Sequence, residues 1–294
     1  MRYSPAYGIA RLFSPVMRMG KKYGAEWWIL VIGALIILAI VFMAVFAESI
    51  APFSPYDQDT GPQLAPPSGK HLMGTDNLQR DIWSRMVHGS RTILRVAVLA
   101  AVISSMIGIP LGLISGFSGG IFDRVLSLIM DSVYSFPGLI LAIAFAAMLG
   151  PGVINITVAV AVIYIPTFFR LVRGQTLQIK EELYVEAAKA IGSSGLIILG
   201  KYIFPNVLAT AVVVFTLNVA DAIMIEAALT YLGLGLPPII VDWGMDLSMG
   251  KKFLPSGQWW MITFPGIMIS TLALGFTMLG EGLAEILNPR LLER

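Results

Sequence analysis

Long uncharged stretches constrain the fold of this sequence more than any other feature. Residues 253–280 form a run of 28 residues without a charged side chain, and residues 27–47 form a run of 21 between Glu26 and Glu48. About 20 predominantly apolar residues are enough to cross the hydrocarbon core of a bilayer as a helix. Since 56% of the 294 residues are hydrophobic and only 13% are charged, the sequence predicts an all-α, polytopic membrane protein.

Six transmembrane helices are expected, because four more largely apolar runs accompany these two. They lie near residues 96–122, 125–149, 153–169 and 206–232. The predicted organisation is a tail at 1–26, a first transmembrane helix at 27–47, a loop at 48–90, and a transmembrane core at 91–294 that includes a polar hairpin at 181–205. An even number of spans places both termini on one side of the membrane.

The distribution of positive charge predicts which side that is. Of the 20 lysine and arginine residues, 13 fall in the tail, at Arg124, between 170 and 201, or at the C-terminus. Because positive residues concentrate in cytoplasmic segments, we expect the tail, the hairpin and the C-terminus in the cytoplasm. The loop at 48–90 is then extracytoplasmic.

A short interfacial helix is expected within that loop. Asp76 followed by Gln79 has the spacing of a capping box, which begins a helix. The predicted helix carries an apolar stripe of Leu78, Ile82, Met86 and Val87, opposite Arg80 and Arg85. We expect it to lie along the outer membrane surface.

Glycines recur every four positions in the second predicted span. Gly108, Gly112 and Gly116 fall on one helix face, where small residues let two helices approach closely in lipid. They are candidate helix-packing residues. The contact could lie between subunits or within the chain.

Two acidic residues lie inside predicted spans. An ionised carboxylate there costs about 2.5–3.5 kcal/mol on insertion scales, so Asp221 and Glu226 should each face a polar cavity or a partner. They are candidates for lining a translocation path. The alternative is that each is a paired or protonated packing residue.

Several classes of site are excluded by what the sequence lacks. It has no cysteine, only two histidines and a net charge of +2, which argues against a metal site and against nucleic-acid binding. The spacing of Gly195, Gly200 and Lys201 resembles a phosphate-binding loop, but Tyr202 occupies the Ser or Thr position. We therefore expect no ATP site, no cofactor and no catalytic residues in this chain.

The hairpin from Glu181 to Pro205 has a water-compatible face between two apolar spans. Its first part has the periodicity of a short amphipathic helix, and the Gly192 to Gly195 stretch ends it with turn chemistry. A second apolar turn then leads to Phe204. An amphipathic hairpin must bury its apolar face, either on the lipid surface or against a partner protein.

The hairpin also resembles the EAA loop of ABC importer permeases. The resemblance rests on Glu186, Ala187, Ala188 and Gly192, followed after nine residues by Tyr202-Ile203-Phe204-Pro205. It implies that Glu186, Ala187, Ala188, Gly192 and Pro205 form a coupling element that docks on an ATPase subunit.

Further segments are similar to the dipeptide and oligopeptide branch of that family, which also includes nickel permeases. They are Gly74-Thr75-Asp76 with Arg80-Asp81, Glu226 to Gly235, Phe264-Pro265-Gly266 and Asn288-Pro289-Arg290. In the first of these, Gln79 stands where the family has glycine.

The resemblance implies a prokaryotic cytoplasmic-membrane permease that imports small peptides. It also implies its partners: a homologous second permease, two ATPase subunits that bind ATP and magnesium, an extracytoplasmic substrate-binding protein and membrane lipid. Relatives that import oligosaccharides or nickel chelates keep the substrate open. An ion-coupled secondary transporter and a membrane scaffold without transport are the rival classes.

Overall fold

The computed structural model describes residues 24–287, and helices make up most of this range. The helices are α1 (Ala25–Val45), α2 (Ala47–Ile50), α3 (Ile82–Ser118), α4 (Gly120–Tyr134), α5 (Gly138–Leu149), α6 (Val153–Ile179), α7 (Leu183–Ala190), α8 (Gly195–Ile197), α9 (Phe204–Tyr231), α10 (Trp243–Lys251) and α11 (Trp260–Ile286). A π-helical segment, Ile198–Ile203, joins α8 to α9, and a 3-10 turn, Leu254–Ser256, precedes α11. Within the described range there is no β-strand, so the all-α prediction is confirmed. The predicted tail lies outside the described residues except for 24–26, as do the predicted motif residues 288–290.

Five helices are long and apolar enough to cross a membrane, and the pair α4 and α5 supplies a sixth if it counts as one span. The two halves of this pair meet at 90°, so the run predicted as a span over 125–149 is bent. Pro137 lies at the break, and a proline disfavours helical geometry in the residue before it. The polytopic prediction is confirmed, with one broken span.

The predicted interfacial helix does not exist as a separate element. Asp76 caps no helix. Its carboxylate instead accepts hydrogen bonds from the amides of Leu78 and Arg80, which closes a tight turn. Helix α3 begins six residues after Asp76 with Asp81 as its N-cap and continues as a single 37-residue helix. Its first turns and the second predicted span are therefore one helix.

Three other predicted boundaries differ from the structure. Helix α6 continues beyond Arg170 and Arg173 to Ile179, because both arginines are paired with aspartates of α4 and do not end the span. Residues 195–231 form one continuous helical run, so no break precedes Asn206. Helix α11 begins at Trp260, since the 3-10 turn occupies residues 254–256.

The glycine ladder packs within the chain. A Cβ atom at Gly108 would lie 2.7 Å from the carbonyl oxygen of Ile165, and one at Gly116 would lie 2.9 Å from that of Arg173. Both oxygens belong to α6. The glycines therefore let the backbones of α3 and α6 touch, and the intersubunit alternative does not apply to this face.

Candidate functional site

The hairpin between α6 and α9 is built around a glycine-ended helix. Helix α7 ends in a Schellman motif, in which the Ser193 amide donates to the Ala188 carbonyl and the Gly192 amide donates to the Lys189 carbonyl. Gly192 has φ +82°, a conformation that favours glycine because it lacks a Cβ atom. The motif reverses the chain and lays α7 against the π-helical segment Ile198–Ile203.

One face of α7 packs against its own chain. Val185 and Ala188 are buried, Ala188 to 3% exposure, in a small apolar cluster. The other buried members of the cluster are Val172, Ile198, Ile203 and Val207. Ala188 therefore fixes α7 to α6 and α9, and its side chain is covered by its own chain.

The opposite face of the hairpin is apolar and open. Leu183, Ile191 and Leu196 are 81%, 80% and 82% exposed, and Ala187 and Glu186 are exposed on the same helix. Nearly bare aliphatic side chains that recur along one hairpin are typical of an interaction site. We call Leu183, Ala187, Ile191 and Leu196 the coupling face.

Pro205 lies where the hairpin becomes a membrane helix. A proline inside a helix has no amide hydrogen to donate, and its ring crowds the carbonyl four residues earlier, here that of Lys201. The turn containing Lys201 is π-helical, from Ile198 to Ile203. The wider turn keeps the helix continuous through the proline, so α8 is linked to α9 without a break.

The two acidic residues of α9 lie in different surroundings. Asp221 is exposed, with Tyr164 of α6 nearby. Glu226 is fully buried, and its carboxyl group faces Asp242, the N-cap residue of α10. The structure does not bring Asp221 and Glu226 together, and Glu226 does not line an open path in this chain.

Sequence reasoning missed the ion pairs that hold α4 to α6. Arg173 Nη2 lies 2.7 Å from Asp123 Oδ2, and Arg170 Nη2 lies 2.9 Å from Asp131 Oδ1. The Asp123 carboxylate also accepts a hydrogen bond from Ser115 of α3. The signal was present as two arginines spaced by three on one helix, opposite two aspartates spaced by eight on another.

A second polar cluster lies at the other end of the bundle. Arg85 of α3 donates to both carboxylate oxygens of Asp246, at 3.0 Å and 3.1 Å from Nε, and to the Pro55 carbonyl. Burial raises the pKa of the Asp246 carboxyl, and the paired guanidinium opposes that shift. Arg85 was expected on a solvent-facing stripe, whereas it is 2% exposed. Its burial follows from the extension of α3 into the bundle.

Comparison with known protein families identifies the membrane core. Residues 108–293 match the family described as the binding-protein-dependent transport system inner membrane component. The chain belongs to this family. Residues 29–67 also match the N-terminal transmembrane domain of oligopeptide transport permease C.

Curated relatives share most of the length of this inner membrane component. A dipeptide transport system permease protein of Alkalihalophilus pseudofirmus is 38% identical over 89% of this chain and 86% of its own. A di/tripeptide transport system permease protein of Pseudomonas aeruginosa is 37% identical over 88% of this chain and 87% of its own. A glutathione transport system permease protein of Pectobacterium atrosepticum is 36% identical, with coverages of 89% and 87%.

Proposed function

We propose that this chain is the permease subunit of an ATP-driven importer of dipeptides or oligopeptides. The observation that carries the proposal is the coupling face, where a hairpin packed against α6 and α9 leaves three aliphatic side chains exposed. Burying such a surface in a protein cleft removes its apolar area from water. A membrane scaffold without transport would not require an exposed apolar surface on this hairpin.

The proposed partners follow from the family and from the absence of an ATP-binding motif in the sequence. We assign to the assembly a homologous second permease, two ATPase subunits that bind ATP and magnesium, and an extracytoplasmic substrate-binding protein, all around a lipid-embedded core. Each tenfold increase in the inside-to-outside concentration ratio of a neutral solute costs about 1.4 kcal/mol of free energy. ATP hydrolysis on the partner subunits would supply that energy through the coupling face.

The proposed orientation places the coupling face in the cytoplasm, where an ATPase can reach it. The distribution of lysine and arginine along the sequence supports this, with both termini on the same side and in the cytoplasmic membrane of a prokaryote.

A peptide is the proposed substrate because relatives that match nearly the whole chain are named for dipeptide, di/tripeptide and glutathione transport. An oligosaccharide or a nickel chelate would use the same machinery. Binding measurements with the partner receptor distinguish these substrates, since the receptor selects the solute before it reaches the permease.

The coupling proposal is tested by Leu183→Arg. A long cation on the coupling face should weaken docking of the ATPase by roughly tenfold to a hundredfold, the cost of overpacking a fitted contact. The variant should reach the membrane at the parental level because Leu183 packs against little of its own chain. The measurement is co-purification of the ATPase together with substrate-stimulated ATP hydrolysis and uptake.

Leu72→Arg is the matched control. Leu72 is also an exposed leucine, at 60%, but it lies in the loop between α2 and α3, far from the hairpin. ATPase recovery should be unchanged in this variant. Parental ATPase association and uptake in Leu183→Arg would contradict the coupling role, and uptake that follows an ion gradient without ATP would favour a secondary transporter.

A further inference from the structure

Two buried carboxyl groups meet where α10 packs on the C-terminal end of α9. Glu226 and Asp242 are both 0% exposed. The carboxyl group of Asp242 lies within hydrogen-bonding reach of that of Glu226. The pair is therefore a direct contact between two acidic groups with no solvent around them.

Three oxygen atoms of this pair have no hydrogen-bond partner within residues 24–287. They are both carboxyl oxygens of Glu226 and Oδ2 of Asp242. Buried polar atoms almost always have a partner, and two ionised carboxylates in contact repel each other strongly in a dry site. A hydrogen atom between the two groups removes the repulsion and gives two of the three oxygens a partner.

The two carboxyl groups differ in their hydrogen-bond partners. Oδ1 of Asp242 accepts a hydrogen bond of 3.1 Å from the Met245 amide, as the N-cap of α10. An N-cap carboxylate is stabilised by that bond and by the helix dipole. Glu226 has neither, so the proton resides on Glu226.

Nearby charged groups do not replace the proton. Asp242 also lies near Asp246, which is a further negative charge, and the guanidinium of Arg85 is already bonded to Asp246 and to Pro55. A hard divalent cation would need six or more oxygen ligands. Over the described part of the chain, no group of three or more acidic, histidine or cysteine side chains has the geometry to hold a metal ion.

The contact between the helices is too close for a layer of water. A Cβ atom at Gly244, in the first turn of α10, would overlap the Ala227 backbone and the Thr230 side chain of α9. Trp243 is fully buried beside it and donates from Nε1 to the Met86 carbonyl at 2.8 Å. The acid pair is thus closed off from solvent on the side of α10.

We propose that Glu226 is protonated in the folded protein and donates a hydrogen bond to Oδ2 of Asp242, which makes the pair a proton-binding site that fastens α10 to α9. Folding then takes up a proton that an unfolded glutamic acid would release at neutral pH. By linkage, stability falls as pH rises wherever the folded state holds more protons than the unfolded state. Alkaline pH should loosen α10 from α9.

The first test is infrared spectroscopy of the purified, detergent-solubilised full-length protein at neutral pH. Glu226→Gln should remove a carbonyl stretching band of a protonated carboxylic acid, one that shifts in heavy water. Asp57→Asn, which changes an exposed loop carboxylate, should leave the band unchanged. Both comparisons are made in an Asp221→Asn background, so that the other acid of α9 does not contribute. No loss of an acid band in a folded Glu226→Gln protein would overturn the proposal.

The second test is the pH dependence of thermal stability. The ratio of folded to unfolded parental protein should fall by up to about tenfold per pH unit at alkaline pH, the slope for one linked proton. Glutamine mimics the protonated acid and still donates, so Glu226→Gln should lose this dependence while it keeps its neutral-pH stability. The same alkaline slope in both proteins would overturn the proposal.

Two remaining outcomes are also decisive. If sodium or calcium stabilises the parental protein but not Glu226→Gln, the site holds a cation and the proton assignment is wrong. If Glu226→Gln fails to fold, the spectrum of the Asp221→Asn protein decides: an acid band that persists above neutral pH supports the assignment, and its absence overturns it.

Discussion

Gln79 adopts a backbone conformation that glycine reaches without strain. Its φ is +61°, and its carbonyl accepts hydrogen bonds from the amide and hydroxyl of Thr60. The peptide-permease resemblance has glycine at this position, and the structure shows that the turn geometry survives the replacement. The cost is a left-handed conformation with a Cβ atom, on the order of 1–2 kcal/mol.

The stability of Gln79 variants should therefore depend on how easily the new residue adopts a positive φ. Gln79→Gly should match or exceed the parental thermal stability, while Gln79→Val should lower it by about 1–2 kcal/mol because a β-branched residue is most strained at positive φ. Thermal melting of the purified protein measures both. A valine variant as stable as the glycine variant would show that the turn relaxes to another conformation.

The sequence identified the residues of the hairpin but not the direction of each side chain. Ala187 and Ala188 are adjacent alanines, and only tertiary packing distinguishes the exposed one from the buried one. In the same way, inserting an ionised carboxylate into a span costs a similar free energy at Asp221 and at Glu226. Asp221 is nevertheless exposed, whereas Glu226 faces a residue of α10. Which side of a helix is covered depends on neighbours that are distant in sequence.

At the scale of the helices, the glycines of α3 that pack against α6 lead to a specific prediction for stability. A Cβ atom at Gly112 would lie 2.7 Å from the Phe169 carbonyl oxygen and 3.0 Å from the Val172 Cβ, so α3 and α6 must separate to admit it. Gly112→Ala should cost about 1–3 kcal/mol of stability through overpacking. The measurement is the yield and melting temperature of the full-length protein in detergent.

Gly174→Ala is the control on the facing helix. An added Cβ there meets no described heavy atom within 4 Å, and alanine is a better helix former than glycine by up to about 1 kcal/mol. The two changes should therefore shift the melting temperature in opposite directions. Equal effects would mean that the close approach of α3 and α6 is not required for stability.

Helix existence was predictable from apolar run length, whereas helix ends and breaks were not. Run length cannot reveal that α4 and α5 meet at 90°, because both halves are apolar and the bend depends on the short segment around Pro137. It also missed that α3 begins well before its apolar run, since Arg85 is neutralised by Asp246 from 161 residues away. Charges that find partners do not end helices.

At the scale of the whole molecule, the predicted orientation is open to a direct measurement. The sequence contains no cysteine, so single cysteines report cleanly. Gln63→Cys and Ser194→Cys both lie at exposed positions, the first in the loop before α3 and the second in the hairpin. In intact cells an impermeant thiol reagent should label the first and spare the second.

Disrupted cells provide the control, because both cysteines should then react. Labelling of Ser194→Cys but not Gln63→Cys in intact cells would reverse the orientation and remove the coupling face from the reach of an ATPase.

Ion pairs between residues far apart in the sequence cannot be predicted from a single sequence. Arg85 and Asp246 tie α3 to α10, and removing one partner of a buried pair typically costs about 3–5 kcal/mol. The identities of these two residues do not indicate that they pair with each other. Such pairs fix how the two halves of the chain sit against each other, which periodicity leaves undetermined.

The unbroken helical run from Gly195 to Tyr231 has a mechanical consequence. Its 37 residues make a rod of about 55 Å, long enough to reach from the hairpin across a whole bilayer. A tilt of a few degrees imposed at the hairpin would move the far end by a few ångströms. The far end of the rod carries Glu226, so the acid pair lies where the displacement of this lever arm is greatest.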